Sequence, residues 1–145
     1  MIDETQNQPM RLTFNSDPVA VRSALAQVKT GMAARNLPPE HMVTMEIVLA
    51  EVFNNIVEHA YQERPDGVIE LLLQDARDGI NCDIRDQGLP MPDMALPMGR
   101  EANLNCAIAD LPEGGFGWFM IRDLTQHLTY SRIGDCNHLS FQMPV

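Results

Sequence analysis

Residues 51–61 read EVFNNIVEHAY, and this stretch decides the predicted fold. At about 100° per residue, its polar side chains fall on one arc of about 140°, opposite the apolar ones. Such a pattern predicts an amphipathic helix that packs its apolar side on a sheet. The polar arc consists of Glu51, Asn54, Asn55, Glu58 and His59.

The polar arc allows two interpretations. Most polar helix faces are simply solvated, but asparagine has modest helix propensity, and a pair of asparagines is a poor choice for stability alone. An asparagine oxygen such as that of Asn55 can complete the shell of a magnesium ion held by phosphates and water. Glu51, one turn earlier, could accept the proton of a hydroxyl group that attacks a phosphate.

The elements on either side of this helix predict the fold class. The order is β-α-α-β-β-loop-α-β-β, which indicates one α+β domain. It would be a two-layer sandwich of a mixed, mainly antiparallel sheet with helices on one face. The predicted strands are residues 10–14, 68–74, 80–85, 128–133 and 138–143, and the predicted helices are 18–35, 39–60 and 118–124.

A second polar segment, Asp86-Gln87-Gly88, directly follows the predicted strand 80–85. An aspartate at a strand end is most often a turn residue. Alternatively, Asp86 accepts a hydrogen bond from an exocyclic amine of adenine, and Gly88 lets the backbone approach the base.

A third segment, residues 114–117, has the sequence GGFG and precedes the predicted helix at Trp118. Three glycines in four residues suit an ordinary hinge. At a helix N-terminus they would also expose backbone N–H groups to a phosphate without needing a lysine. This matters because Lys29 is the only lysine and lies outside any glycine-rich run, which excludes a P-loop.

The composition excludes other classes of partner. A formal charge of -10, with 10 basic and 20 acidic residues, leaves no basic stripe for nucleic acid. No stretch approaches the roughly 20 apolar residues of a membrane span, and residues 1–9 are polar and expected to be disordered. The 3 cysteines lack the spacing of a zinc or redox motif. We therefore expect a cytoplasmic protein without a membrane partner.

Taken together and in this order, the three segments resemble the GHKL ATPase superfamily, which includes gyrase, heat-shock chaperone, histidine kinase and mismatch-repair ATPases. They are most similar to the anti-sigma-factor serine/threonine kinase family. Residues 51–61 resemble its N box, residues 86–93 (DQGLPMPD) its first glycine box, and residues 114–124 (GGFGWFMIRDL) its second. The likeness runs from about residue 12 to residue 145.

The resemblance implies a Bergerat-type ATP-binding fold over residues 10–145, with ATP and Mg²⁺ as cofactors. Glu51 would be the general base, Asn55 the magnesium ligand and Asp86 the adenine contact. Residues 92–113 would form a lid over the phosphates. The glycines that would shape the pocket and lid are Gly88, Gly115 and Gly117.

The resemblance also implies partners. Such a kinase phosphorylates a serine on an anti-anti-sigma protein and alternately sequesters a sigma factor, and a homodimer is left open. Two alternatives remain: a nucleotide-dependent binding module without phosphotransfer, and a GHKL-type regulator of a partner other than a sigma factor. Glu51 favours the kinase over the pure binding module, because a binder needs no base at that position.

Overall fold

A computed structural model describes residues 8–98 and 115–145. We number its main elements in chain order. They are β1 (Met10–Asn15), α1 (Pro18–Ala34), α2 (Pro39–Asn55), β2 (Val68–Ala76), β3 (Gly79–Asp86), α3 (Gly115–Leu124), β4 (Gln126–Ile133) and β5 (Cys136–Pro144). A π-helical turn (Ile56–Ala60) continues α2, and a 3₁₀ turn (Pro92–Met94) follows β3.

The strands form one five-stranded sheet in the order β1-β2-β3-β5-β4. Every neighbouring pair is antiparallel, so the sheet of the described residues is wholly antiparallel rather than mixed. The predicted α+β class and order of elements are confirmed. The topology inserts β5 between β3 and β4, and so places the end of β3 beside the start of β5.

The core lies between the helices and one face of the sheet. Strand β5 shows why, since its side chains alternate between buried and partly exposed along its length. Phe14 of β1 meets Phe53 of α2 edge to face, with ring centroids 5.0 Å apart. On the opposite face, Asn81 and Arg85 are exposed. The helices therefore cover a single face, as predicted.

Helix α1 begins with a side-chain cap. The Asp17 side chain accepts a hydrogen bond of 2.9 Å from the backbone N–H of Ala20, and Pro18 occupies the first turn. Such a cap satisfies an N–H group that the helix itself leaves free.

Three boundaries differ from the predictions. The helix predicted to run to Ala60 is α-helical only to Asn55 and then widens into the π turn. Helix α3 begins at Gly115, three residues before Trp118, so Gly115 and Gly117 lie within its first turn. Strand β4 begins at Gln126, because Gln126 already pairs with β5 ahead of an irregularity between residues 126 and 129.

Two predictions fall largely outside the described residues. Of the predicted lid, residues 92–113, only residues 92–98 are described. Of the N-terminal segment predicted to be disordered, only residues 8 and 9 are described. Among the helices of the described chain, none combines the length and the apolar character needed to cross a membrane.

Candidate functional site

A cavity of about 450 Å³ opens between α2, α3 and the β3–β5 end of the sheet. Its wall is mostly apolar, with a few polar groups that converge on it, as is typical of small-molecule sites. The residues that line it are Val52, Asn55, Ile56, His59, Ala60, Asp86, Leu89, Pro90, Met91, Pro92, Pro97, Trp118, Tyr130, Asn137 and Leu139.

Asn55 and Glu51 lie one turn apart on α2, as predicted. The Asn55 Nδ2 atom donates a 2.8 Å hydrogen bond to the Glu51 carbonyl oxygen. This bond uses the amide nitrogen of Asn55. The Asn55 Oδ1 atom is the atom that could coordinate a metal ion. Asn55 is also the last α-helical residue before the π turn, a feature found frequently at functional sites.

Gly117 brings the first turn of α3 against both α2 residues. A Cβ atom at this position would lie 2.5 Å from Glu51 Oε2 and 3.8 Å from Asn55 Nδ2. The first turn of α3 therefore lies against the end of the Glu51 side chain, which would have to move if residue 117 carried a side chain. The first four N–H groups of a helix have no intrahelical partner, and they carry the positive end of the helix dipole. Glu51, Asn55 and Gly117 thus surround one point at the N-terminus of α3.

The polar arc of residues 51–61 is divided by the structure. Glu51 and Asn55 are half-buried, whereas Asn54 and Glu58 are exposed. His59 is exposed too, but it lines the cavity. The solvated-face interpretation holds for Asn54 and Glu58, and the site interpretation is restricted to the half-buried pair.

Asp86 ends β3 at the floor of the cavity and is only 6% exposed. Its Oδ1 atom accepts hydrogen bonds from Gly88 N at 2.9 Å and from Asn137 Nδ2 at 2.8 Å. Burial raises the pKa of the Asp86 carboxyl, and these two hydrogen bonds together with the charge of Arg132 oppose that rise. None of the hydrogen bonds found among the described residues reaches Oδ2. Oδ2 is therefore the Asp86 oxygen that could accept a hydrogen bond from a ligand.

Gly88 lets the segment after β3 approach the C-terminal end of the π turn. A Cβ atom at Gly88 would lie 2.5 Å from the Ala60 carbonyl oxygen. The next residue, Leu89, donates its N–H to the same oxygen at 2.8 Å. The glycine is required by a backbone contact that builds the cavity wall.

We expect Gly88→Ala to lower the free energy of unfolding by about 1–3 kcal/mol, because backbone atoms on both sides must move apart. Gly31→Ala is the matched control. Its Cβ would meet only the flexible Met10 side chain, with Sδ at 2.8 Å, and alanine is the better helix former within α1. Urea denaturation of both variants measures the difference. An equal or greater loss in Gly31→Ala would contradict the assignment of Gly88.

Three residues of the network at Asp86 were not predicted from the sequence. They are Asn137, which donates to Asp86, and Tyr130 and Arg132, which donate to Asn137. The signal was present for Asn137, a polar residue at an inward position of the alternating strand β5. Tyr130 and Arg132 gave no comparable signal, because their places depend on how β4 pairs with β5.

Comparison with known proteins decides the family. The model of the histidine kinase-like ATPase domain matches residues 14–143, which is nearly the whole chain. The chain belongs to this family. ATP binding follows from that membership, and the predicted GHKL relationship is confirmed.

One curated relative is the serine/threonine-protein kinase BtrW of Bordetella bronchiseptica. It is 29% identical over 100 residues, which cover 67% of this chain and 66% of that protein. The solved structure of the RsbU and RsbW domains of Rv1364c from Mycobacterium tuberculosis superposes with a TM-score of 0.61 at 15% identity. The superposed region covers 94% of this chain and 32% of the Rv1364c chain. At 15% identity, this likeness supports the fold alone. The match to BtrW spans 66% of that protein, just under two thirds of its length.

Proposed function

We propose that this domain binds ATP with Mg²⁺ in the cavity and transfers the γ-phosphoryl group to a serine of an anti-anti-sigma protein. We propose further that it sequesters a sigma factor when it is not engaged with that substrate. The observation that carries the proposal is the convergence of Glu51, Asn55 and Gly117 at the N-terminus of α3, beside a cavity with Asp86 at its floor.

Adenine fits the floor of the cavity. Asp86 Oδ2 is an acceptor in a mostly apolar wall, and the exocyclic amine of adenine is a donor. Guanine presents a carbonyl at the same place, so two acceptors would meet. ATP should therefore bind better than GTP, since an unpaired buried polar group costs about 1–3 kcal/mol.

The residues beside the cavity fit a magnesium–triphosphate group. The Asn55 oxygen is a hard ligand of the kind that magnesium prefers, and magnesium commonly keeps several waters and phosphate oxygens as its other ligands. Gly117 belongs to the first turn of α3, where backbone N–H groups and the positive end of the helix dipole attract phosphate. Bound Mg²⁺ would supply neutralisation of the phosphate charge.

Phosphotransfer then requires a base for the attacking serine. The serine oxygen forms a bond to the γ-phosphorus, the bond from that phosphorus to the β,γ-bridging oxygen breaks, and ADP leaves. The hydroxyl proton passes to the Glu51 carboxylate, which lies one turn from Asn55 and against Gly117.

The kinase relative supports phosphotransfer to a serine or threonine. The choice of partners rests on the resemblance of residues 51–61, 86–93 and 114–124 to anti-sigma-factor kinases. The direct test is incubation of the purified protein with ATP, Mg²⁺ and each anti-anti-sigma protein encoded in the same genome. Mass spectrometry should locate phosphate on a single serine of one substrate. A wild-type protein that binds ATP but phosphorylates none of these substrates would favour the binding module without phosphotransfer.

Asp86→Asn tests the base contact. Asparagine can keep both hydrogen bonds at Oδ1, but it places an N–H₂ group toward the cavity, where it meets the amine of adenine. We expect the affinity for ATP to fall about 5- to 150-fold. The ratio of the affinity for ATP to the affinity for GTP should become smaller. Titration calorimetry with both nucleotides measures this. Unchanged ATP affinity would remove Asp86 from the adenine contact.

Asp86→Asn should lower the affinity for ATP but raise the free energy of unfolding. Burial raises the pKa of Asp86 in the folded protein, so the folded state binds this proton more tightly than the unfolded state. The contribution of Asp86 to stability therefore falls as pH rises from its ordinary pKa through the raised one. Asp86→Asn should be more stable than wild type at pH 7, with a smaller gain at pH 4. Urea denaturation of both proteins at pH 7 and pH 4 measures the difference, and a variant less stable than wild type at pH 7 would contradict this expectation.

A further inference from the structure

The Asn137 side chain is a buried polar hub at the start of β5, with 5% of its surface exposed. Its Nδ2 atom donates to Asp86 Oδ1 at 2.8 Å and to the Leu89 carbonyl oxygen at 2.9 Å. Its Oδ1 atom accepts from the Tyr130 hydroxyl at 2.6 Å and from Arg132 Nη1 at 3.0 Å. Both ends of the amide are therefore fully engaged.

These partners fix the direction in which the amide points. Tyr130 donates its only hydroxyl proton and Arg132 has only donors, so both require the oxygen of Asn137 on their side. The Nδ2 group must then face Asp86. An amide turned the other way would place its oxygen against the Asp86 carboxylate, where acceptor would meet acceptor.

The same network holds the segment that follows β3. Arg132 Nη1 donates to the Gly88 carbonyl oxygen at 2.6 Å, and the Tyr130 hydroxyl accepts from Met91 N at 2.9 Å. Asp86 and the cavity wall at residues 88–91 are thus tied to one amide. A buried asparagine is costly unless it is hydrogen-bonded, and this one is bonded on both sides.

We propose that Asn137 is a positioning residue for adenine recognition: it occupies Asp86 Oδ1, so that Oδ2 is the acceptor presented to the exocyclic amine. The inference rests on the proposed role of Asp86 as the adenine contact. Asn137 acts through Asp86 and makes no contact with the amine itself. Its loss should therefore affect one feature of the ligand, the amine, more than overall nucleotide binding.

The probe for this feature is purine riboside 5′-triphosphate, which lacks the exocyclic amine and adds no other group. Calorimetry gives its Kd and that of ATP, both with Mg²⁺. Wild type should prefer ATP by about 5- to 150-fold. In Asn137→Ala the preference should fall by about fivefold or more, with the affinity for the analogue nearly unchanged. The matched control is Asn81→Ala, an exposed asparagine on β3 that faces away from the helices, which should keep the full preference.

A double-mutant cycle separates positioning from general packing. If Asn137 acts through Asp86, adding Asn137→Ala to Asp86→Asn should leave the preference of the single Asp86→Asn variant unchanged. A further fall in the double mutant would overturn the proposal. So would equal weakening of ATP and the analogue by Asn137→Ala, because that is the result of a purely structural role.

Tyr130→Phe keeps the test decisive if Asn137→Ala does not fold. It removes the hydroxyl that donates to Asn137 Oδ1 and accepts from Met91 N, and it leaves Arg132 in place. The preference for ATP should fall part of the way, and a full wild-type preference would count against positioning through Asn137. Failure of the proposed function itself looks different, since wild type would then bind ATP and the analogue equally well.

Discussion

We expect Glu51→Gln to slow phosphotransfer by about 10²- to 10⁴-fold while ATP affinity stays close to that of wild type. Glutamine has the same shape and can keep the packing against Gly117, but it cannot take up the serine proton. Glu51 also lies beside the cavity and is absent from its lining, so the adenine contact at Asp86 is left intact. The substitution should therefore separate catalysis from binding.

Single-turnover transfer of labelled phosphate to the serine substrate, alongside calorimetry with ATP, measures the two quantities. Glu58→Gln is the matched control, because Glu58 belongs to the same polar arc but is exposed and outside the cavity lining. It should transfer phosphate at the wild-type rate. Wild-type transfer by Glu51→Gln would show that Glu51 is not the base.

The helical part of this site could be predicted because helix periodicity is local. The spacing of residues 51–61 places Glu51 and Asn55 on one face of a helix without knowledge of any other element. The spacing could not predict which element packs against that face of the helix. Gly117 reaches Glu51 only through the packing of α3 on α2, and the π turn after Asn55 has no simple sequence signal.

The start of α3 shows how local propensity can mislead. Glycine is a poor helix former, so the propensities of residues 115–117 favour a loop up to Trp118. In the structure the helix begins at Gly115, where Gly117 packs against α2. The helix therefore extends over residues whose propensity is unfavourable, at a place where it contacts another helix.

The surroundings of Asp86 could be predicted only in part. A polar residue at a strand end was visible, but its partner Asn137 lies across the sheet, and their pairing depends on β5 lying between β3 and β4. Strand order is a property of the whole topology and cannot be obtained from the pattern of either strand. The carboxylate was therefore found from the sequence, and the amide that holds it was not.

Asn55→Ala should weaken ATP binding in the presence of Mg²⁺ by about 10- to 100-fold. Loss of a residue that only orients a metal ligand already lowers metal affinity by this factor. Without Mg²⁺ the two proteins should bind ATP almost equally, because Asp86 and the cavity wall are unchanged. Alanine has the higher helix propensity, so loss of the Asn55 bond to the Glu51 carbonyl should not unfold α2. The effect should therefore appear only when the metal is present.

Calorimetric titration of ATP at several Mg²⁺ concentrations, with and without EDTA, separates the metal-dependent part of the affinity. Asn54→Ala is the matched control, since Asn54 is the neighbouring asparagine but is exposed and absent from the cavity lining. It should follow the wild-type dependence on Mg²⁺. An equal loss with and without Mg²⁺ in Asn55→Ala would mean that Asn55 shapes the cavity and does not hold the ion. In that case the cation would have to be held by phosphate oxygens, water or other residues, and the pairing of Glu51 with Asn55 would no longer place the base near the γ-phosphate.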